Sequence, residues 1–115
     1  MHVLIIDDNP DDRDMLQRAL KMYGHTTCWA SSGRAGLDMM RLEPVDVVLL
    51  DLDLGPGLSG FDILHRRGAD PLLRRIPVVV MTGMPRERVL SLVLEDVIFM
   101  TKPVDLDDLM KRIRP

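Results

Sequence analysis

The sequence predicts an α/β fold: a parallel sheet with helices packed on both of its faces. Short aliphatic runs alternate with helix-period segments five times from end to end. The first and third of those runs are apolar at nearly every position, the pattern of strands covered on both faces rather than one. Turn and cap residues punctuate each change of period. Such alternation argues strands joined by right-handed helical crossovers.

The first strand is Val3–Ile6. Asn9 can cap the helix that follows, with Pro10 at its first position and Asp11 and Asp12 in the turn that favours acids. Met15, Leu16, Ala19, Leu20 and Tyr23 then recur at helical spacing, and Gly24 suits the stop. Thr26–Ala30 is a more polar strand that suits a sheet edge. A short helix starts near Ser32 and turns Leu37 and Met40 inward. Val45–Leu50 is the third strand, followed by the glycine- and proline-rich stretch DLDLGPGLSG. Ser59 and Asp62 form a capping-box-like start for a third helix, with Phe61 and Leu64 on its buried side. Ile76–Met81 is the fourth strand. A fourth helix begins near Pro85 and carries Val89, Leu90, Val93 and Leu94. Val97–Met100 is the fifth strand. Asp105 caps the last helix, whose Leu106, Leu109, Met110 and Ile113 fall at i, i+3, i+4 and i+7.

Length and composition set bounds on function. With 115 residues and 46% apolar content, the chain holds one domain with one real core. Its net charge of −3 and lack of a basic run argue against nucleic-acid binding. No apolar run approaches a bilayer span, and no leader of signal-peptide type precedes the first strand. The single cysteine, Cys28, fits a reducing compartment and reads as a small buried hydrophobe. A cytoplasmic location is expected.

In a parallel sheet, ligands bind beyond the carboxyl ends of the strands. Asp7 and Asp8 follow the first apolar run, Asp51 and Asp53 the third, Thr82 the fourth and Lys102 the fifth. If the first and third strands are neighbours, up to four carboxylates converge. Two like charges ~4 Å apart repel by up to ~4 kcal/mol at an effective dielectric near 20. Such a cluster either keeps some carboxylates protonated or recruits a cation. Oxygen ligands alone point to Mg²⁺ or Mn²⁺. Each piece by itself has a plainer reading: an aspartate after a strand is usually a turn former or helix cap, and a lone lysine is usually exposed. The signal is the set, four successive strand ends carrying acid pair, acid, hydroxyl and amine.

VLIIDDNPDDR, VDVVLLDLDL with SGFDIL, IPVVVMTG and IFMTKPVDLDDL resemble, in order, the signature blocks of response-regulator receiver domains. The resemblance runs over essentially the whole chain and implies a flavodoxin-like sheet of order 2-1-3-4-5 with five helices. It implies that Asp51 is the phosphoacceptor and that Asp8 and Asp51 hold the metal directly. Asp7 would help through water, and Asp53 would offer its backbone carbonyl. Thr82 would be the hydroxyl that moves to the phosphoryl group and Lys102 the amine that pairs with it. Phe99 would rearrange with Thr82, and Pro103 would follow a cis peptide bond. The implied donor is a phosphohistidine on a sensor histidine kinase or histidine phosphotransfer protein. His2, His25 and His65 are the chain's own histidines, and none stands where a donor should. Output to a downstream protein or domain would run through helix four, strand five and helix five, with room for a homodimer on the same face. The implied domain spans residues 1–115, either alone or at the N-terminus of a longer regulator, and is not a turnover enzyme.

Two departures from that pattern are visible. The LGPGLSG loop is one residue longer than the common form and places Gly55 where many members have proline. The stretch from Thr82 to Lys102 is slightly short, with Glu95–Asp96 where small residues are usual. Two rival readings exist. VVLLDLDLG also resembles the nucleophile motif of haloacid-dehalogenase-type phosphohydrolases, but that motif normally lies on a first strand, and too little chain follows it here. A degenerate receiver that only binds proteins would lack the intact acid, hydroxyl and lysine set.

Overall fold

A computed structural model describes residues 1–55, 57–92 and 97–113. In chain order its elements are β1 (His2–Ile6), α1 (Pro10–Met22), β2 (Thr26–Ala30), α2 (Gly33–Leu42) and β3 (Val47–Asp51). There follow α3 (Gly60–Ala69), β4 (Val78–Thr82), α4 (Arg86–Leu92), β5 (Ile98–Thr101) and α5 (Leu106–Arg112). The strands form one parallel sheet of order β2-β1-β3-β4-β5, with the polar β2 at an edge.

Alternation along the strands sends side chains to two apolar layers. Val3, Ile5, Leu49, Val79 and Met81 meet Leu16 and Leu20 of α1 and Leu109 and Met110 of α5 on one face. Leu4, Ile6, Leu50 and Val80 meet Leu37 of α2, Ile63 and Leu64 of α3 and Val89 of α4 on the other. Helices on both faces explain why β1, β3 and β4 are apolar almost throughout. Among the described residues, no helix is long and apolar enough to cross a membrane.

The predicted caps form. The Asn9 side chain accepts from the amides of Asp11 and Asp12, and Ser59 with Asp62 makes a reciprocal capping box. Asp105 accepts from the amide of Asp108. Gly24 leaves α1 with φ +84°, where a side chain would be strained. The buried Arg67 guanidinium donates to the carbonyls of Ile76 at 2.9 Å and Arg74 at 3.2 Å, tying the α3–β4 connection to the helix.

Several details differ from the periodicity. β3, β4 and β5 run through Asp51, Thr82 and Thr101, one residue beyond the apolar runs. The ladder decides this: Asp51 pairs with Met81, and Thr82 with Thr101, whatever their polarity. Val45 and Ile76 precede their strands in turns, although they still pack on the core. Met15, Tyr23 and Leu90 are exposed: Met15 and Leu90 lie about 100° around their helices from the buried Leu16 and Val89, and Tyr23 is the C-cap beyond the last turn of α1. Tyr23 instead reaches the Asp107 carboxylate at 3.4 Å through its hydroxyl. Val93, Leu94, Glu95 and Asp96 lie outside the described residues, as does Pro115.

Gly60 opens α3 against the end of β3. A Cβ there would stand 2.7 Å from the Leu52 Cα and 3.1 Å from the Asp51 carbonyl oxygen, both backbone atoms. Alanine normally helps a helix, but here the overlap should dominate. Gly60→Ala is expected to lower stability by about 1–3 kcal/mol in urea denaturation. An unchanged or raised midpoint would show that α3 does not seat as closely on β3.

Candidate functional site

Every strand of a parallel sheet delivers its carboxyl end to the same edge, so the residues ending β1, β3, β4 and β5 meet there. β1 and β3 are neighbours, and the helices that follow them, α1 and α3, go to opposite faces of the sheet, which opens a crevice at the β1–β3 junction.

Asp51 is the last residue of β3 and is buried at 3% exposure. Its Oδ1 accepts from the Lys102 ammonium at 2.8 Å and from the Asp53 amide at 2.8 Å. Asp7, at 1% exposure, accepts from the Asn9 amide at 2.9 Å. Burial pushes the Asp7 carboxyl up to about 6; the Asn9 hydrogen bond opposes this and the nearby Asp51 charge adds to it. Asp8 is exposed, and its Oδ2 accepts from the Gly55 amide at 2.9 Å. One carboxylate oxygen from each of Asp7, Asp8 and Asp51 lies within 4.8 Å of the other two.

Lys102 follows β5 and is anchored by its own amide, which donates to the Thr82 carbonyl at 2.8 Å. Burial works against its charge. The hydrogen bond and charge of Asp51, with Asp53 and Asp7 behind them, outweigh that and hold its pKa above the ordinary lysine value. The Lys102–Pro103 peptide bond is cis. Thr82 ends β4 fully buried. Phe99 lies on β5, half-buried, with the Arg86 guanidinium 5.9 Å from its ring centre. It borders a cavity of about 290 Å³ on the side of α4 and α5, away from the carboxylates.

Some of the site was not foreseen. Asp53 was expected to act through its backbone, yet its side chain is engaged: Oδ1 accepts from the Thr82 hydroxyl at 3.0 Å and Oδ2 from the Gly83 amide at 3.2 Å. Lys102 Nζ stands 3.7 Å from the same Oδ2. The one sequence signal was the Asp-x-Asp spacing, which puts a second carboxylate two residues past the strand end. Gly55 has a local reason as well. A Cβ there would fall 2.8 Å from Asp8 Oδ2, and a proline would have no amide to donate. Trp29 of β2 donates its indole N–H to the Asp7 carbonyl at 2.7 Å, and Arg13 covers its ring at 3.9 Å. Beside Asp7 and Lys102 a cleft of about 360 Å³ is floored by Met15, Leu16, Pro103 and Val104.

The sheet order agrees with comparisons to known proteins. Residues 3–114 match the family described as the response regulator receiver domain. PilH of Pseudomonas aeruginosa is 34% identical over 113 residues, covering 96% of this chain and 93% of that one. A Vibrio cholerae protein that bears the name of a cyclic di-GMP phosphodiesterase is 32% identical, but the chain spans only 25% of its length. A sensor histidine kinase receiver domain from Pseudomonas aeruginosa PAO1, with magnesium coordinated in its active-site cleft, has a TM-score of 0.87. That likeness covers 97% of this chain and 93% of the other at 20% identity, and so speaks for the fold. This chain belongs to the response regulator receiver domain family of two-component signalling.

Proposed function

We propose that residues 1–115 form a receiver domain whose Asp51 accepts a phosphoryl group from a phosphohistidine of a sensor histidine kinase or histidine phosphotransfer protein. One observation carries this reading: a buried strand-end carboxylate lies 2.8 Å from a lysine ammonium and within 4.8 Å of two further acids. The Asp7, Asp8 and Asp51 side chains supply only hard oxygen atoms, grouped closely enough for one small divalent cation. They fit Mg²⁺ (or Mn²⁺), with the Asp53 backbone carbonyl as a further ligand. The ion would supply charge neutralisation at the transferring oxygens. The magnesium in the Pseudomonas relative supports the same choice.

The chain's own residues account for the transfer. An Asp51 oxygen attacks phosphorus, the P–N bond breaks, and its electron pair returns to the donor imidazole. An acyl phosphate replaces a phosphoramidate. Lys102 and the Asp53 amide, both on Oδ1, orient the carboxylate, which is a weak nucleophile that needs placement more than activation. The cleft beside Asp7 and Lys102 gives a partner helix an apolar approach to the site. The domain spends each phosphoryl group on its own state, so it is not a turnover enzyme.

The Asp53 carboxylate bears on the switch. It already holds the Thr82 hydroxyl and Gly83 amide, with Lys102 close by, the donors that a phosphoryl group on Asp51 would draw upon. Thr82 must leave Asp53 to bind the phosphoryl oxygens, and that movement vacates space into which the Phe99 ring can turn. That couples the site to α4, β5 and α5, the face proposed for an output protein or domain and for a homodimer. A cytoplasmic location goes with this reading.

With Mg²⁺ and a small phosphodonor, intact mass should show one added phosphoryl group, lost in Asp51→Asn. Retention in that variant together with loss in Asp53→Asn would move the acceptor to Asp53. Mg²⁺ at a hundredfold over its Kd should stabilise the chain by about 2.7 kcal/mol in thermal unfolding. Asp8→Ala should remove that response, and an unchanged response would exclude Asp8 as a ligand. Asp53→Ala removes a charge-assisted hydrogen bond from Thr82 and one negative charge, so steady-state phosphorylation should rise by roughly tenfold. Asp53→Asn should fall between. A lower level in Asp53→Ala would mean that the carboxylate assists the phosphorylated state instead of competing with it.

A further inference from the structure

We propose a second metal site, of zinc type, at the opposite end of the sheet, formed by His2, Cys28 and Glu43. His2 opens β1, Cys28 is the central residue of β2, and Glu43 is the C-cap of α2. The register pairs His2 with Thr26 and Leu4 with Cys28, so His2 and Cys28 are diagonal neighbours on one face of the sheet. α2 crosses that face and ends with Glu43 over both. One ligand atom from each residue lies within 4.8 Å of the other two, and all three residues are half-buried. This set shares no residue with the carboxylate cluster. β1 separates the two by roughly 16 Å, at about 3.3 Å per residue.

The details favour a transition metal. His2 Nε2 and Glu43 Oε1 are 3.5 Å apart. Tetrahedral zinc with bonds of about 2.0–2.1 Å needs an N···O edge near 3.3 Å. The other ring nitrogen, His2 Nδ1, lies 2.7 Å from the Thr26 hydroxyl. That bond orients the imidazole and leaves Nε2 for coordination, as outer partners of zinc-bound histidines do. The His2 backbone is pinned on both sides, its amide donating to Asp46 Oδ2 at 2.7 Å and its carbonyl accepting from the Asp46 amide at 2.8 Å. Thiolate, imidazole and carboxylate suit Zn²⁺ and not Mg²⁺, so the two sites select different ions.

Burial, with Glu43 behind it, keeps the thiol protonated without metal. Burial, then the charge and hydrogen bond of Glu43, push the Cys28 thiol up to about 12. A dication beside it reverses that balance: the thiol proton goes to solvent, sulfur gives its electron pair to the metal, and a water takes the fourth position. One thiolate and one carboxylate against Zn²⁺ leave the site neutral. The ion would tie edge strand β2 to β1 and α2.

Co²⁺ serves as the probe, added to the untagged chain in saturating Mg²⁺ that occupies the carboxylate cluster. The expected result is one equivalent of Co²⁺ with a thiolate-to-cobalt charge-transfer band, displaced by Zn²⁺. Cys28→Ser should abolish the band, Glu43→Gln should weaken binding at least tenfold, and Asp51→Asn should leave both unchanged. Absence of the band in the wild type, or its persistence in Cys28→Ser, would overturn the proposal. Loss of the Co²⁺ binding in Asp51→Asn would do so too, by placing the ion at the phosphoacceptor cluster, which holds no thiolate. If Cys28→Ser does not fold, Glu43→Gln at the helix end decides. Zn²⁺ should raise the melting temperature of the wild type more than that of the variant, and equal shifts would refute the site.

Discussion

Lys102 holds together a site that would otherwise repel itself. Asp7, Asp8, Asp51 and Asp53 crowd one sheet edge, and the Lys102 ammonium reaches two of them, Asp51 at 2.8 Å and Asp53 at 3.7 Å. Asp51 is almost fully buried, so without that partner its charge would have little solvent to stabilise it. The ammonium is positioned by the β4–β5 ladder and by its own amide on the Thr82 carbonyl, which makes the site's electrostatics a consequence of strand pairing. A lysine suits this place because its charge is compact and its stem flexible, so it can follow either carboxylate or a phosphoryl oxygen.

The same ladder links charge to shape. Thr82 and Lys102 lie at the ends of adjacent strands, and Phe99 pairs with Val80 two residues back from Thr82. Thr82 is fully buried and serves both as donor to Asp53 and as acceptor for the Met84 amide at 3.1 Å. Moving that hydroxyl therefore breaks one bond and redirects another at the entrance to α4. Packed interiors answer such changes by switching between arrangements more than by gradual deformation.

The apolar runs and the Asn9, Ser59 and Asp105 caps were enough to read five strands and five helices from the sequence, because burial on both faces leaves a strong pattern. The strand order was not readable that way. Val3–Ile6 and Val47–Leu50 are equally apolar, and nothing in the pattern says which strand each adjoins; resemblance supplied that. The candidate site was legible as a set of strand-end residues, since a parallel sheet must bring them to one edge. Its finer bonds were not. The Asp53 side chain meets Thr82 and Gly83 because Asp51 pairs with Met81, and register is a tertiary property. Residues 2, 28 and 43 form no spaced motif at all and meet only once β1, β2 and α2 are assembled.

A parallel sheet wrapped by helices is electrically polar, and the two ends of this one fit that polarity. Helices begin at the carboxyl edge of the strands, where free amides favour negative charge, and end at the other edge, where free carbonyls favour positive charge. At the first edge, Asp7 and Asp8 lie just before the start of α1, and the Gly83 amide is already turned to an anion. At the second, Glu43 caps the C-terminus of α2, so its carboxylate adds to the carbonyl end of the helix. A phosphoryl acceptor at one end and a cation-seeking trio at the other thus follow from the same chain direction. The carboxylate edge departs from this polarity in one respect, having gathered more negative charge than helix starts and one lysine can balance. Burial raises the Asp7 carboxyl, and the Asp51 charge beside it adds to that rise. A domain meant only to be stable would shed one of these acids; one that must gain a divalent cation before it reacts has reason to keep all of them.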